Sequence, residues 1–186
     1  MRIVSGRLRG RLINPPKNFR ARPTTDFAKE SLFNIIANHF DFEGLRVLDL
    51  FSGTGSIGYE FISRGAAMVH SVEKDYHHWQ FIRNTVKQLD LKGLTPIKGD
   101  AFSFLKSCTH EYDIIFADPP YDLPGIDLLP EQVLDSSILA KDGWFILEHA
   151  GKYDFSDNYF FLECRVYGSV NFSIFKKKNP VQMLHE

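Results

Sequence analysis

From Leu45 onward, short runs that are apolar on both faces alternate with stretches whose apolar positions recur every three or four residues. Leu45–Phe51, Met68–Glu73, Leu94–Gly99, Tyr112–Ala117 and Trp144–Glu148 read as strands, with Ser56–Arg64, Asp75–Leu89, Ala101–Ser107 and Ile126–Leu139 between them as helices. Val47-Leu48-Asp49-Leu50-Phe51 and Ile114-Ile115-Phe116-Ala117 have no consistently polar side, as expected of parallel strands covered by helices on both faces. After Gly151 the rhythm changes. Tyr159–Val166 and Val170–Phe175 are joined through Tyr167-Gly168-Ser169, which is too short for a crossover helix, so they predict an antiparallel hairpin at the sheet edge. The pattern predicts a doubly wound α/β fold on a mostly parallel, seven-stranded sheet.

Ahead of this repeat, Arg2–Val4 and Arg11–Ile13 are β-compatible runs that could pair as a hairpin, ended by Asn14-Pro15-Pro16. Pro23-Thr24-Thr25-Asp26 looks like a helix start, followed by Phe27, Leu32, Phe33, Ile35, Ile36 and Phe40 at mostly helical spacing. The chain thus divides into a basic extension at 1–43, a main domain at 44–178 and a short tail at 179–186. The seventeen phenylalanines read as core.

Length and composition add limits. The 186 residues suit one main domain, and 44% apolar with 24% charged residues is the composition of a soluble globular protein. No apolar run approaches a bilayer span and the N-terminus lacks the apolar stretch of a signal peptide, so a cytoplasmic protein is expected. Cys108 and Cys164 stand far apart in no C-x-x-C pattern, and the seven histidines form no metal-binding spacing, His77 and His78 facing different sides of one helix. No disulfide framework and no metal is expected.

The net charge of −1 hides an uneven distribution. Residues 1–22 carry Arg2, Arg7, Arg9, Arg11, Lys17, Arg20 and Arg22 with no acid. A short charge run is commonly just a solvated arm, but cations without an anion over this length favour contact with RNA or DNA. Lys176, Lys177 and Lys178 read as a solvated tail.

Two motifs carry the candidate chemistry. Asp49-Leu-Phe-Ser-Gly53-Thr-Gly55-Ser-Ile-Gly58 places G-x-G-x-x-G between a strand and a helix, where open α/β sheets grip a cofactor. Glycines also serve tight turns, and the pattern alone does not separate a dinucleotide from S-adenosyl-L-methionine (AdoMet). Asp49 separates them: an anion just ahead of the glycines repels pyrophosphate and attracts the cationic amino-acid end of AdoMet. Glu73, at the end of the second strand, is placed to accept hydrogen bonds from the hydroxyls of either cofactor's ribose. Asp100, just before Ala101, could hold an adenine amino group and could equally cap a helix.

The second motif, Asp118-Pro119-Pro120-Tyr121, follows the fourth strand. Two prolines stiffen the chain and present the Pro119 carbonyl beside the Asp118 carboxylate, two acceptors that can hold an exocyclic amino group. Tyr121 offers a face on which an unstacked base can lie. A Pro-stiffened turn is the bland alternative, and the glycine loop upstream weakens it.

Arg2-Ile-Val-Ser-Gly-Arg-Leu-Arg-Gly-Arg, Arg22-Pro-Thr-Thr-Asp-Phe-Ala-Lys-Glu-Ser-Leu-Phe-Asn, Asp49-Leu-Phe-Ser-Gly-Thr-Gly, Ser63-Arg-Gly-Ala and Asp118-Pro-Pro-Tyr, in that order, resemble the RsmD family of class I AdoMet methyltransferases. The resemblance covers roughly the whole chain. It implies methylation of the amino nitrogen of a guanine in bacterial 16S ribosomal RNA, within a small-subunit ribonucleoprotein. It further implies AdoMet contacts at Asp49, Gly53, Gly55, Glu73 and Asp100 and a guanine pocket on Asp118, Pro119 and Tyr121; Ala101, next to Asp100, is counted with the cofactor site, and the charge of the arm makes Arg7, Arg9, Arg11, Arg20 and Arg22 the expected RNA contacts. A monomer is expected. The competing readings are a DNA adenine-N6 methyltransferase, an NAD-dependent oxidoreductase and a non-catalytic RNA-binding assembly factor.

Overall fold

The computed structural model describes residues 1–17, 19 and 25–177. The alternation that starts at Leu45 yields β1 (Arg46–Leu50), α2 (Ser56–Arg64), β2 (Met68–Glu73), α3 (Tyr76–Gln88), β3 (Leu94–Lys98), α4 (Ala101–Ser107), β4 (Tyr112–Ala117), α5 (Leu129–Leu134) and β5 (Leu139–His149), preceded by helix α1 (Asp26–Ala37). The hairpin β6 (Phe161–Tyr167) and β7 (Val170–Lys176) completes one seven-stranded sheet of order β3-β2-β1-β4-β5-β7-β6. β1 to β5 are mutually parallel, and β7 runs antiparallel between β5 and β6. The doubly wound fold is as the sequence predicts. Pro96 is tolerated in β3 because that strand is an edge, where a missing N–H costs no ladder bond.

Successive residues of each strand feed two separate cores, since side chains alternate across a sheet. Val47, Val69, Ile114, Phe116 and Ile146 point to the side covered by α1 and α2, while Leu48, Val72, Ile115, Ala117 and Leu147 face α4 and α5.

Two expected element boundaries need correction. The helix expected over Ile126–Leu139 is a single 3-10 turn, Ile126–Leu128, followed by α5, which stops at Leu134. Polar Asp135-Ser136-Ser137 ends it, with Ser136 Oγ donating to the Val133 carbonyl at 2.5 Å, and the chain is already β-paired at Leu139, opposite Tyr112. The strand therefore begins five residues before Trp144, ahead of a register shift between Tyr112 and Ile114. The N-terminal runs pair antiparallel as expected: Arg2 bridges Leu12, Ile3 N–H donates to the Arg11 carbonyl at 3.0 Å, Gly10 N–H to the Ile3 carbonyl at 2.8 Å and Ile13 N–H to the Met1 carbonyl at 3.0 Å. The segment that follows the first run docks on α2, with Val4 and Ser5 N–H donating to the Glu60 carboxylate at 2.8 and 3.0 Å, Arg7 N–H to the Ser63 carbonyl and Leu8 N–H to Ser63 Oγ.

Glu60 is the hub of this docking. It is fully buried on α2, pairs with Lys29 Nζ of α1 at 3.7 Å and accepts from Arg64 Nε at 2.9 Å, while Lys29 donates to the Arg2 carbonyl at 2.6 Å and to Ser56 Oγ at 3.3 Å. Ile3 and Ile13 thereby enter the same core as Leu32, Phe33 and Ile36 of α1. That helix is capped by Thr25, whose Oγ1 accepts from Ala28 N–H. Phe27, counted with the core on helical spacing, instead points outward at 69% exposure. Lys177 is not a frayed tail residue either, since its Nζ donates to the Ser136 and Leu139 carbonyls.

Candidate active site

Each of the five parallel strands carries an acid at or just beyond its C-terminal end: Asp49, Glu73, Asp100, Asp118 and Glu148. This is the end where open α/β sheets place ligands. Asp49, Ser71 and Glu73 continue the alternation of Val47 and Val69, and Asp118 and Glu148 that of Phe116 and Ile146. All five belong to the face that carries α1 and α2.

The glycine loop is built tightly over Asp49. Gly55, at φ +79°, caps α2 in a conformation L side chains rarely adopt, and a Cβ there would lie 2.7 Å from Tyr59 Oη. A Cβ on Gly58 would lie 2.7 Å from Ser71 Oγ, so that glycine permits close helix-to-sheet packing. Phe51 is held at φ 59°, a region non-glycine residues avoid, with its ring edge-on to Phe102 at 6.0 Å. Strain of this kind persists where surrounding structure over-determines it, commonly at ligand sites.

Three buried side-chain atoms among the described residues lack hydrogen-bond partners: Asp49 Oδ2, Tyr59 Oη and Ser71 Oγ. All three border this loop. A buried carboxylate oxygen without a partner is costly and is relieved by a cation or a donor. Burial pushes the Asp49 carboxyl up to about 7, with the Glu73 carboxylate adding to the shift and hydrogen bonding from Ser52 and the Gly58 N–H opposing it.

Glu73 accepts from Gly53 N–H through Oε2 and from Asp75 N–H through Oε1, both at 2.7 Å, which fixes its carboxylate and leaves further lone pairs for a diol. Asp100 acts as the N-cap of α4, accepting from Ser103 N–H at 3.1 Å, and pairs with Lys74 at 3.3 Å. These bonds hold its carboxyl below the usual range. The capping role open to Asp100 is present. Ala101 is buried behind it.

Asp118 emerges one residue beyond β4, half-buried, with its N–H donating to the Leu50 carbonyl at 3.4 Å. Burial, then the Glu148 carboxylate and then Asp49 push its carboxyl well above the ordinary carboxylate range. Glu148 is only 4% exposed and comes from the neighbouring strand. Pro119 is buried, and Tyr121 is 40% exposed at the rim. The sequence-predicted residues Asp49, Gly53, Gly55, Glu73, Asp118, Pro119 and Tyr121 thus share one sheet end. Glu148 and Phe51 were not singled out beforehand. The recurrence of an acid at every parallel strand end was the available signal for Glu148, whereas a positive φ at Phe51 leaves no sequence trace.

This set fits AdoMet. Asp49 offers an anion to a cationic amino-acid end, Glu73 a fixed acceptor for ribose hydroxyls, and the Phe51–Phe102 pair with Ala101 apolar surface for an adenine. Away from this site Arg7, Arg9 and Arg11 fan outward, exposed around a shallow depression that Leu8, Gly10 and Leu12 also line. Arg20 and Arg22 lie outside the described residues. No described helix is long and apolar enough to cross a membrane.

A family model described as "Conserved hypothetical protein 95" matches residues 1–176. The chain is 32% identical over 185 residues to the Bacillus subtilis protein named "Putative rRNA methyltransferase YlbH", covering 96% of this chain and 100% of that one. It is 33% identical over 144 residues to Ribosomal RNA small subunit methyltransferase D of Escherichia coli strain K12, covering 77% and 69%. A solved Escherichia coli structure described as the methyltransferase yhhF superposes with a TM-score of 0.83 at 28% identity, over 96% of this chain and 98% of that one.

Proposed function

Because the chain belongs to the RsmD family, whose model spans nearly all of it, we propose that it transfers a methyl group from AdoMet to the exocyclic N2 of a guanine in 16S ribosomal RNA. The observation that carries the chemistry is the placement of Asp49 and Asp118 at the ends of adjacent strands, on one face of the sheet. One anchors a methyl donor; the other meets an amine.

AdoMet, when bound, supplies an electrophilic methyl carbon on a sulfonium, and the chain's own residues do the rest. Asp49 binds the cationic end, whose N–H donors and charge supply the partner that its buried oxygen lacks. Asp118 and the Pro119 carbonyl accept the two N–H bonds of the guanine amine, which aims nitrogen density at the methyl carbon. As the N–C bond forms and the S–C bond breaks, the nitrogen becomes acidic and its proton passes to Asp118. A carboxyl held above its ordinary range is a better proton acceptor once ionised. Tyr121 stacks on the base, and the family's relatives named for the small ribosomal subunit support ribosomal RNA as the substrate.

The extension over residues 1–43 contacts RNA through Arg7, Arg9, Arg11, Arg20 and Arg22, and the enzyme acts as a cytoplasmic monomer on a small-subunit ribonucleoprotein. The test is transfer of labelled methyl from AdoMet to small-subunit particles from cells lacking this protein, with nucleoside analysis of the product. Labelled N2-methylguanosine is the expected result. Label in another nucleoside would overturn the base assignment, and unlabelled RNA the whole reading.

A further inference from the structure

Phe27 is the misfit of α1. It sits in the first turn of a well-capped helix at a position where a polar side chain would serve, yet it leaves 69% of its surface exposed. Its only ring partner among the described residues is Tyr167, edge-on at 6.0 Å and 82°. Tyr167 leans on buried Phe172 at 6.1 Å, and Phe172 lies 6.4 Å from Phe116, two residues before Asp118. A file of rings therefore runs from beneath the D-P-P-Y motif out to solvent.

Both outer rings are at the active end of the sheet. β7 runs antiparallel to β5 and pairs Asn171 with His149, which puts the turn from Tyr167 to Val170 beside the C-terminal end of β5 and next to Glu148. α1 begins at the same rim: Lys29, one turn of chain beyond Phe27's neighbour Asp26, reaches Ser56, the residue after the glycine loop.

The surroundings specify the occupant. Arg2, at the start of the basic arm, stands beside Asp26 at 3.7 Å, next in sequence to Phe27. An exposed aromatic face backed by a half-buried one, with a cation beside it at the rim of the D-P-P-Y pocket, matches a ligand that offers π-faces and phosphates together, which is single-stranded nucleic acid. We infer that Phe27 and Tyr167 form a second stacking platform, at the rim of the D-P-P-Y pocket, for an unpaired RNA nucleotide flanking the target base. This rests on the reading of RNA as substrate. It adds a contact that holds the strand on either side of the base being modified.

The test uses the full chain and a fluorescent single-stranded oligoadenylate, with AdoMet binding followed by calorimetry as the control for folding. Phe27→Ala and Tyr167→Ala are expected to weaken oligoadenylate binding by about tenfold each, with unchanged AdoMet affinity and an unchanged salt slope, because no charge is removed. Phe27→Trp restores binding. Phe27→Leu, which keeps an apolar side chain without a π-face, does not. Equal binding by Phe27→Leu and the unaltered protein would overturn the inference, as would unaffected binding by Phe27→Ala. A loss of self-association on sedimentation in place of a loss of RNA binding would assign the surface to a second copy of the chain instead. Methyl transfer to small-subunit particles by the unaltered protein is read separately, so a failed platform and a failed enzymatic reading give different results.

Discussion

Asp118 and Glu148 stand side by side at the ends of β4 and β5, brought there by a register that pairs Ala117 with Leu147. Like charges so placed disfavour each other's ionisation, and Glu148 is the leading charged contributor to the raised Asp118 carboxyl. Asp118 must be ionised to accept the amine proton, so the rate rises with pH through its titration. Glu148→Gln removes one negative charge, eases Asp118 ionisation and is expected to move the acidic limb of the kcat–pH profile to lower pH. A limb that stays in place would separate Glu148 from the reaction.

Asp49 titrates near 7 in the free protein, far above an unfolded aspartate. A cationic ligand favours its ionised form, so binding releases a proton below that pH. AdoMet Kd is expected to fall by up to about tenfold per unit as pH rises from about 6 to 7, and Asp49→Asn to flatten that dependence while weakening AdoMet. The same group opposes stability: the folded state holds its proton through the window between the unfolded value and about 7, so stability is lost as pH rises across it. Asp49→Asn should therefore raise the melting temperature of the ligand-free protein at pH 8, equivalent to roughly 2–4 kcal/mol. A lower melting temperature there would contradict the assignment.

Lys29 and Glu60 form a buried ion pair in which Glu60 also holds the Val4 and Ser5 N–H groups. Removing Glu60 leaves Lys29 buried without its counter-ion, whereas Glu60 keeps Arg64 when Lys29 is removed. Glu60→Ala is expected to lower stability by about 3 kcal/mol, read by urea unfolding, while Lys29→Met with Glu60→Gln should lose less than the sum of the single changes.

Substituting Arg7, Arg9 and Arg11 together by Ser is expected to weaken RNA binding and reduce its salt slope, leaving AdoMet affinity unaltered. Titrations at several salt concentrations decide it, because loss of affinity at constant slope would mean that these side chains do not meet phosphates.

Tyr121→Ala is expected to lower methyl transfer at least tenfold through loss of base stacking while AdoMet Kd stays constant. Altered AdoMet binding with normal transfer would put this ring against the cofactor.

The fold was legible from Leu45 onward because a strand apolar on both faces is rare outside a covered parallel sheet, and Val47–Phe51 and Ile114–Ala117 are of that kind. What escaped was set by contacts distant in sequence. α5 is short because Leu139 pairs with Tyr112, and the segment between the paired N-terminal runs is fixed by Glu60 and Ser63, more than fifty positions away. In the site, Asp49 and Asp118 declared themselves through neighbouring glycines and prolines, but Glu148 lies in an ordinary apolar strand with no flanking motif. Phe27 was misplaced for a related reason: helical spacing tells which residues share a face, and the first turn of α1 projects past the core that face covers.

The docking of the N-terminal segment onto α2 also sets an order of events during synthesis. Val4 waits for Glu60, 56 positions later, and at about 5–20 residues per second that is roughly three to eleven seconds of translation. Throughout that interval the arginines of the arm are tethered to a translating ribosome and have no folded surface to settle on. The arm therefore stays undocked until α2 has been made, and a slower stretch of codons before α2 would lengthen that interval without changing a single residue.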